Sequence, residues 1–126
     1  MHVYSISFVE GGYWKVVASG TLTRDSVWLA NPELLGLLND ARDIRMLIDL
    51  RAVQGRPDMV TSILQAEILA RQPHVHTHRI AVIDLERNAT WMQDERLCLS
   101  NRALPVHFFT VEDEAARWVM PWRTPP

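Results

Sequence analysis

The segment Arg45–Met59 (RMLIDLRAVQGRPDM) most constrains how this chain can fold. It begins with a short apolar run, and the glycine and proline that follow predict a tight loop and the start of a helix. A second run of the same form, Arg79–Leu85 (RIAVIDL), also closes on an acid, Asp84. Because strands separated by helices pair in parallel through right-handed crossovers, the two runs predict a parallel sheet of the α/β class.

The rest of the chain extends this pattern. Gly11 and Gly12 stand between two alternating runs and predict a β-hairpin, while Asn31 and Thr110 are natural caps for the starts of helices. The three further predicted strands are Val3–Val9, Tyr13–Ser19 and Val106–Phe109. We therefore predict one α/β domain over residues 1–120 with a tail at 121–126. Its sheet is mixed and mostly parallel, with about five strands and helices mainly on one face.

Composition limits the classes of function. A chain of 126 residues with 48% hydrophobic content can form one core. Its net charge of -2 gives no reason to expect nucleic acid, and no apolar run reaches the roughly 18 residues of a membrane-spanning helix. The single cysteine, Cys98, cannot form an internal disulfide, and the first residues lack the features of a signal peptide. These features predict a cytoplasmic protein.

Four segments of the chain resemble SpoIIAA-like proteins of the STAS superfamily, which are small bacterial domains related to anti-sigma factor antagonists. They are the hairpin, the strand end LIDLRAV (47–53), the run RIAVIDL (79–85) and the closing segment FFTVEDEAARWV (108–119). The resemblance covers nearly the whole chain. It implies a SpoIIAA-like fold and a regulatory domain that binds a protein partner, or a small apolar ligand such as relatives of the fold hold.

The resemblance also shows where this chain departs from the phosphorylated antagonists. In those proteins the loop after the central strand carries an Asp-Ser pair, and the serine is phosphorylated by a partner kinase. Aligning the strand end at Asp49 without gaps places Pro57 and Asp58 there. Aspartate has no hydroxyl to phosphorylate, and Thr61 and Ser62 fall off the register. We therefore expect a docking loop without the phosphorylatable serine.

Charged side chains surround this loop, which runs from Ala52 to Asp58. Ligands of open α/β sheets bind at the carboxyl ends of strands, and residues two apart on a strand project on the same side. The candidate residues for binding a ligand or partner are Asp49, Arg51, Arg56, Asp58 and Asp84. The structural alternative is that Asp58 caps the next helix and that the strand-end acids pair with Arg56 or Arg79.

Glu67 is unusual in the helix predicted after the central strand. It projects into the apolar side of that helix, where a buried carboxylate has to be paired or protonated. Arg71, one turn later, is its expected ion-pair partner. The alternative is a carboxylate that lines a ligand pocket. The apolar neighbours on that side are Val60, Ile63, Leu64 and Ala70.

The run His74, His76 and His78 supports a second class of function. Alternate histidines on an extended backbone share a face and can bind a metal, together with His107. The run contains no cysteine or carboxylate, and the chain has no G-x-S-x-G elbow or P-loop. We therefore predict a non-enzymatic domain without a cofactor. A small enzyme or metal-binding protein that uses the strand-end acids or this histidine run is the alternative.

Two tryptophans, Trp28 and Trp122, lie near breaks in the apolar periodicity. A large aromatic side chain outside a regular core face is a candidate for an exposed contact surface. We consider both residues as candidates for a surface that binds a protein partner or a second copy of the chain.

Overall fold

The computed structural model describes residues 2–24, 27–28 and 31–120. Strands and helices alternate after an opening hairpin, so the predicted order of elements is confirmed. The elements are β1 His2–Val9, β2 Tyr13–Thr21, α1 Pro32–Asp40, β3 Arg45–Gln54, α2 Met59–Ala70, β4 Arg79–Ile83, α3 Ala89–Ser100, β5 Val106–Phe109 and α4 Glu112–Val119.

The five strands form one sheet in the order β1-β2-β3-β4-β5. β1 pairs with β2 antiparallel, and the other neighbours are parallel. Gly11 and Gly12 adopt φ angles of 117° and 113°, which L side chains rarely adopt, and Gly12 N–H donates to Val9 O at 3.1 Å. The Gly-Gly turn therefore closes the hairpin, as the sequence predicts.

Alternation along the strands produces two cores, one on each face of the sheet. Met46 and Ile48 of β3 pack against the side of the sheet that α1, α2 and α3 cover. Leu47 and Ile83 pack on the other side with Val119 of α4. Three helices thus cover one face and one helix covers the other, in agreement with the predicted fold class.

The helix caps agree with the sequence at two of three positions. Asn31 accepts hydrogen bonds from the backbone N–H groups of Glu33 (3.0 Å) and Leu34 (3.2 Å). Asp58 caps α2 by accepting from Thr61 N–H at 2.9 Å. The predicted cap at Thr110 is wrong, because α4 begins later, after Val111, without a side-chain cap.

Residues 121–126, which include Trp122, lie outside the described residues, so the structure gives no information on the predicted tail. Across the part of the chain that is described, no helix is both long and apolar enough to cross a membrane.

Candidate functional site

Helix α2 exposes apolar side chains along its outer face. The exposed fractions are 45% for Met59, 76% for Val60, 41% for Ile63 and 50% for Leu64. The spacing i, i+3, i+4 places them on one side of the helix, where they form a continuous row directly after the loop that follows β3. We call this row the α2 stripe: Met59, Val60, Ile63 and Leu64.

The inner face of α2 carries polar side chains instead. Thr61, Ser62 and Gln65 are all buried beneath the helix. Ser62 donates a hydrogen bond to Glu95 of α3, which is only 7% exposed. Burial raises the pKa of the Glu95 carboxyl, the hydrogen bond from Ser62 acting in the opposite direction. The helix therefore packs on the core through Ala66 and Leu69, buries these polar side chains beside them, and leaves the apolar α2 stripe in solvent.

A cavity of about 50 Å³ lies under α2 and α3, against the sheet. Its wall is mostly apolar and includes Trp28, Trp91 and the loop residue Pro57, with Gln65 and Glu95 as polar groups. A buried water needs roughly 10–15 Å³, so the space fits a few waters or a small apolar group. It is well below the roughly 300 Å³ at which pockets for drug-sized ligands begin.

Arg56 and Asp84 form a buried ion pair at the carboxyl end of the sheet. Arg56 Nε donates to Asp84 Oδ2 at 3.0 Å and Nη2 donates to Oδ1 at 2.6 Å. The guanidinium also donates to three backbone carbonyls of the strand end and loop, those of Leu50, Val53 and Gly55. Asp84 is fully buried. We call this group the Arg56–Asp84 cluster.

These contacts fix the loop after β3 from inside. Asp84 also accepts from the Leu85 backbone N–H at 2.8 Å and from Asn88 Nδ2 at 2.9 Å, and the Arg56 guanidinium lies 5.5 Å from the centre of the Trp91 ring. Arg56 and Asp84 thus have the pairing that the structural alternative predicts. Their direct role in binding stays a prediction.

Asp49 and Arg51 lie on the opposite face of the sheet, under α4. Arg51 Nε and Nη2 donate to the Asp49 carboxylate at 3.0 and 2.8 Å. Arg51 also donates to Glu112 of α4, which accepts a second bond from Lys15 Nζ at 3.2 Å. We call this group the Arg51–Glu112 cluster. The five predicted site residues are therefore divided between the two faces and do not form one pocket.

Charge pairing sets the ionisation of the Arg51–Glu112 cluster. Burial alone would raise the pKa of Asp49, but the hydrogen bonds and positive charge of Arg51 outweigh it and lower that pKa. Hydrogen bonds from Lys15 and Arg51 lower the pKa of Glu112. Both acids are held in the charged form.

The sequence matches no curated protein and no family model. Among solved structures, it is similar to an uncharacterised protein of the DUF3478 family with a SpoIIAA-like fold from Shewanella loihica PV-4. The match has 20% sequence identity and a TM-score of 0.60, and covers 94% of this chain and 93% of that one. The fold is SpoIIAA-like. This likeness establishes the architecture and leaves the function open.

The loop predicted at Ala52–Asp58 is shorter in the structure, because Ala52, Val53 and Gln54 still pair with β2 as the end of β3. The remaining loop, residues 55–58, is tied to the rest of the domain by its backbone. Asp58 N–H donates to Arg24 O, and Leu22 N–H donates to Gln54 O, both at 2.8 Å. Gly55 has a φ of 80°, and a Cβ at this position would lie 2.2 Å from Leu22 O. Only glycine fits this approach.

Asp58 is the residue that the ungapped alignment predicts at the position of the phosphorylated serine. It is exposed, and hydrogen bonds from Thr61 lower the pKa of its carboxyl. The side chain therefore combines the predicted helix cap with a permanent negative charge at the edge of the α2 stripe.

The histidine run does not form the extended segment that the metal alternative requires. Val75–Thr77 is a 3₁₀ turn, so alternate side chains do not share a face. His78 is buried, with Nδ1 accepting from Ile44 N–H at 3.0 Å and Nε2 contacting Leu38 O at 2.8 Å. His107 stacks on Trp118, at 4.3 Å between ring centres. Within the described ranges, no three His, Cys, Asp or Glu residues are grouped to hold a metal ion.

Glu67 is paired, but with a different arginine from the one predicted. Its Oε1 accepts from Arg102 Nη2 at 2.7 Å, and this hydrogen bond is the main cause of the lowered pKa of Glu67. Arg71 contributes only at a distance. The side of α2 on which Glu67 lies faces solvent rather than the core, contrary to the sequence interpretation.

Proposed function

We propose that this SpoIIAA-like domain is a non-enzymatic regulatory module of the bacterial cytoplasm that docks a protein partner. Its contact surface is the α2 stripe together with the end of β3 and the loop at residues 55–58. The observation that supports this proposal is the orientation of α2, which presents a row of exposed apolar side chains beside the loop. An exposed apolar row bordered by charged residues is typical of interaction surfaces.

The chemistry of the surface defines the partner. Fully burying one Val, Leu, Ile or Met side chain contributes about 1.5–3 kcal/mol. Each side chain of the α2 stripe is already partly buried, so covering it with a partner contributes a fraction of this free energy, summed over four residues. Asp58 adds a negative charge at the start of the stripe, and Glu67, paired with Arg102, lies along it. A matching partner presents an apolar surface with a basic residue opposite Asp58.

The test begins with a photo-crosslinking amino acid at Ile63 in the full chain, expressed in its native host. A partner captured there is purified and its affinity measured by calorimetry. We expect Val60→Asp and Leu64→Asp to weaken binding by at least tenfold, because each places a charge in an apolar contact. Val111→Asp is the matched control, since Val111 is equally exposed (47%) but precedes α4; it should bind as the wild type does.

Two results would overturn the docking proposal. One is that Val111→Asp weakens binding as much as Val60→Asp and Leu64→Asp do, which would show that binding does not depend on the α2 stripe in particular. The other is co-sedimentation of the purified protein with phosphatidylglycerol vesicles that is abolished by Val60→Asp, which would assign the stripe to a lipid surface.

We also propose that docking proceeds without phosphorylation of this loop. Pro57 and Asp58 offer no hydroxyl, and both Thr61 and Ser62 are buried beneath α2. Incubation with a lysate of the native host and ATP should leave the segment unmodified by mass spectrometry. Phosphate on Thr61 or Ser62 would contradict this.

The cavity under α2 supports a second candidate function, the binding of a small apolar ligand. Most of its wall is hydrocarbon or aromatic, and Pro57 links it to the loop. Native mass spectrometry of protein purified without organic additives should then show a retained molecule. Leu69→Trp, which fills the cavity from α2, should remove it. A wild-type mass equal to that of the bare chain would argue against this candidate.

A further inference from the structure

β1 is an open edge of the sheet that lacks the usual protection against pairing. It is eight residues long, it pairs with β2 without a bulge, and no other strand among the described residues pairs with it. Residues 3–9 contain no charged residue and no proline. Edge strands that must stay unpaired are normally short, charged, bulged or interrupted by proline. The opposite edge, β5, has only four residues and follows Pro105.

The sequence of this open edge is a chemical palindrome. Residues 3–9 read VYSISFV, which is nearly the same in either direction about Ile6. When two such strands run antiparallel about Ile6, each residue meets a partner of its own kind. Valine faces valine, Tyr4 faces Phe8, Ser5 faces Ser7, and Ile6 faces itself.

We propose that β1 pairs antiparallel with β1 of a second copy of this chain, with the two-fold axis at Ile6. The two five-stranded sheets then form one continuous sheet. Val3 and Phe8, which are 57% and 58% exposed, gain cross-strand neighbours in Val9 and Tyr4 of the second copy. Cross-strand pairs of aromatic and β-branched residues are among the contacts that stabilise antiparallel sheets.

The geometry of this pairing agrees with the faces of the sheet. Tyr4 and Ile6 pack with the core under α1, α2 and α3, whereas Val9 packs on the α4 side. An axis perpendicular to the sheet keeps each face continuous between the copies. The contacts of Tyr4 with Phe8 and of Ile6 with itself therefore extend one core, and the contacts of Val3 with Val9 extend the other. Both copies use the same surface, so the interface is isologous, as in most homodimers.

The test measures the dimer dissociation constant of the full chain by sedimentation velocity for two matched variants. Ser5 and Ser7 are exposed, and in the proposed register each faces the other across the interface. Ser5→Glu/Ser7→Glu places like charges in both of these positions, and Ser5→Lys/Ser7→Glu places opposite charges there. Both variants share the change at Ser7, which pairs with Lys15 in its own chain, so they differ only in the sign of the charge at residue 5.

We expect the wild type to be dimeric, the Glu/Glu variant to dissociate on the order of tenfold more readily, and the Lys/Glu variant to regain the lost affinity. This gain should shrink at high salt. Registers centred on Ser5 or Ser7 would not be rescued, because Ser5 would not then face Ser7. A monomeric wild type, or two variants that dissociate equally, overturns the proposal. Circular dichroism melts establish that both variants are folded.

Discussion

Two arginine–carboxylate clusters at the same end of the sheet differ mainly in their access to water. In the Arg56–Asp84 cluster the two side chains are 11% and 0% exposed. In the Arg51–Glu112 cluster, Arg51 and Glu112 are 36% and 39% exposed. Asp49 of the second cluster is 11% exposed, but its arginine and its second carboxylate face water. Water therefore screens much of the second cluster and little of the first, so the two should contribute differently to stability.

The difference indicates what each cluster does. The Arg56–Asp84 cluster holds two carbonyls at the end of β3 and that of Gly55 in the loop that leads into α2, so it supports the proposed docking surface from beneath. The Arg51–Glu112 cluster joins β3 to α4 on the other face, where it can be lost with little effect on that loop. Charged residues at strand ends are therefore not equivalent, and burial decides which of them the fold depends on.

The largest effect is expected from Arg56→Met. It leaves the fully buried Asp84 without its cationic partner, and removal of one member of a buried ion pair costs about 3–5 kcal/mol. Urea denaturation followed by tryptophan fluorescence measures this loss. Arg56→Met/Asp84→Asn, which also removes the carboxylate charge, should recover part of it. A cost below about 1 kcal/mol would make the two clusters equivalent.

A smaller effect is expected from Arg51→Gln in the same denaturation assay. Arg51 and Glu112 are more than one-third exposed, and a screened pair of this kind contributes only about 0.2–1 kcal/mol. Asp49 is 11% exposed and also loses its partner, which raises the cost above that range. The cost should still be smaller than that of Arg56→Met, because Lys15 remains near Asp49. High salt should reduce the difference from wild type further. A loss as large as that of Arg56→Met would show that α4 depends on this pair as strongly as the loop depends on Arg56.

The smallest effect is a change in the acid limb of the stability curve. The pKa values of Asp49 and Glu112 are lower in the folded protein than in the unfolded chain. Their contribution is therefore complete above the unfolded pKa values and is lost as pH falls through the folded ones. Arg51→Gln should flatten this acid limb, measured as urea midpoints from neutral pH to about pH 3. An unchanged slope would place the acid sensitivity elsewhere.

Local patterns were sufficient to predict the strands and the side on which residues of one strand project. The runs ending at Asp49 and Asp84 are β3 and β4, and the two-residue period correctly places Asp49 beside Arg51. The Asn31 and Asp58 caps also follow from residue type. These features depend on neighbours within a few positions, which a sequence displays directly.

The orientation of α2 could not be predicted in this way. Periodicity identifies an apolar side through Val60, Ile63 and Leu64, but it does not tell whether that side meets the sheet or the solvent. The structure buries Ser62 and Gln65 instead, with Ser62 bonded to Glu95 of α3. Lys15 and Glu112 were missed for a related reason, since they are separated by 97 positions and meet only after α4 packs on the sheet.

The close approach of Gly55 to Leu22 has a mechanical consequence. Leu22 directly follows β2, and β2 carries the open edge strand β1 as its hairpin partner. The loop and the end of the hairpin are therefore in close backbone contact at residues 55 and 22. A side chain introduced at residue 55 should therefore displace the end of the hairpin as well as the docking loop.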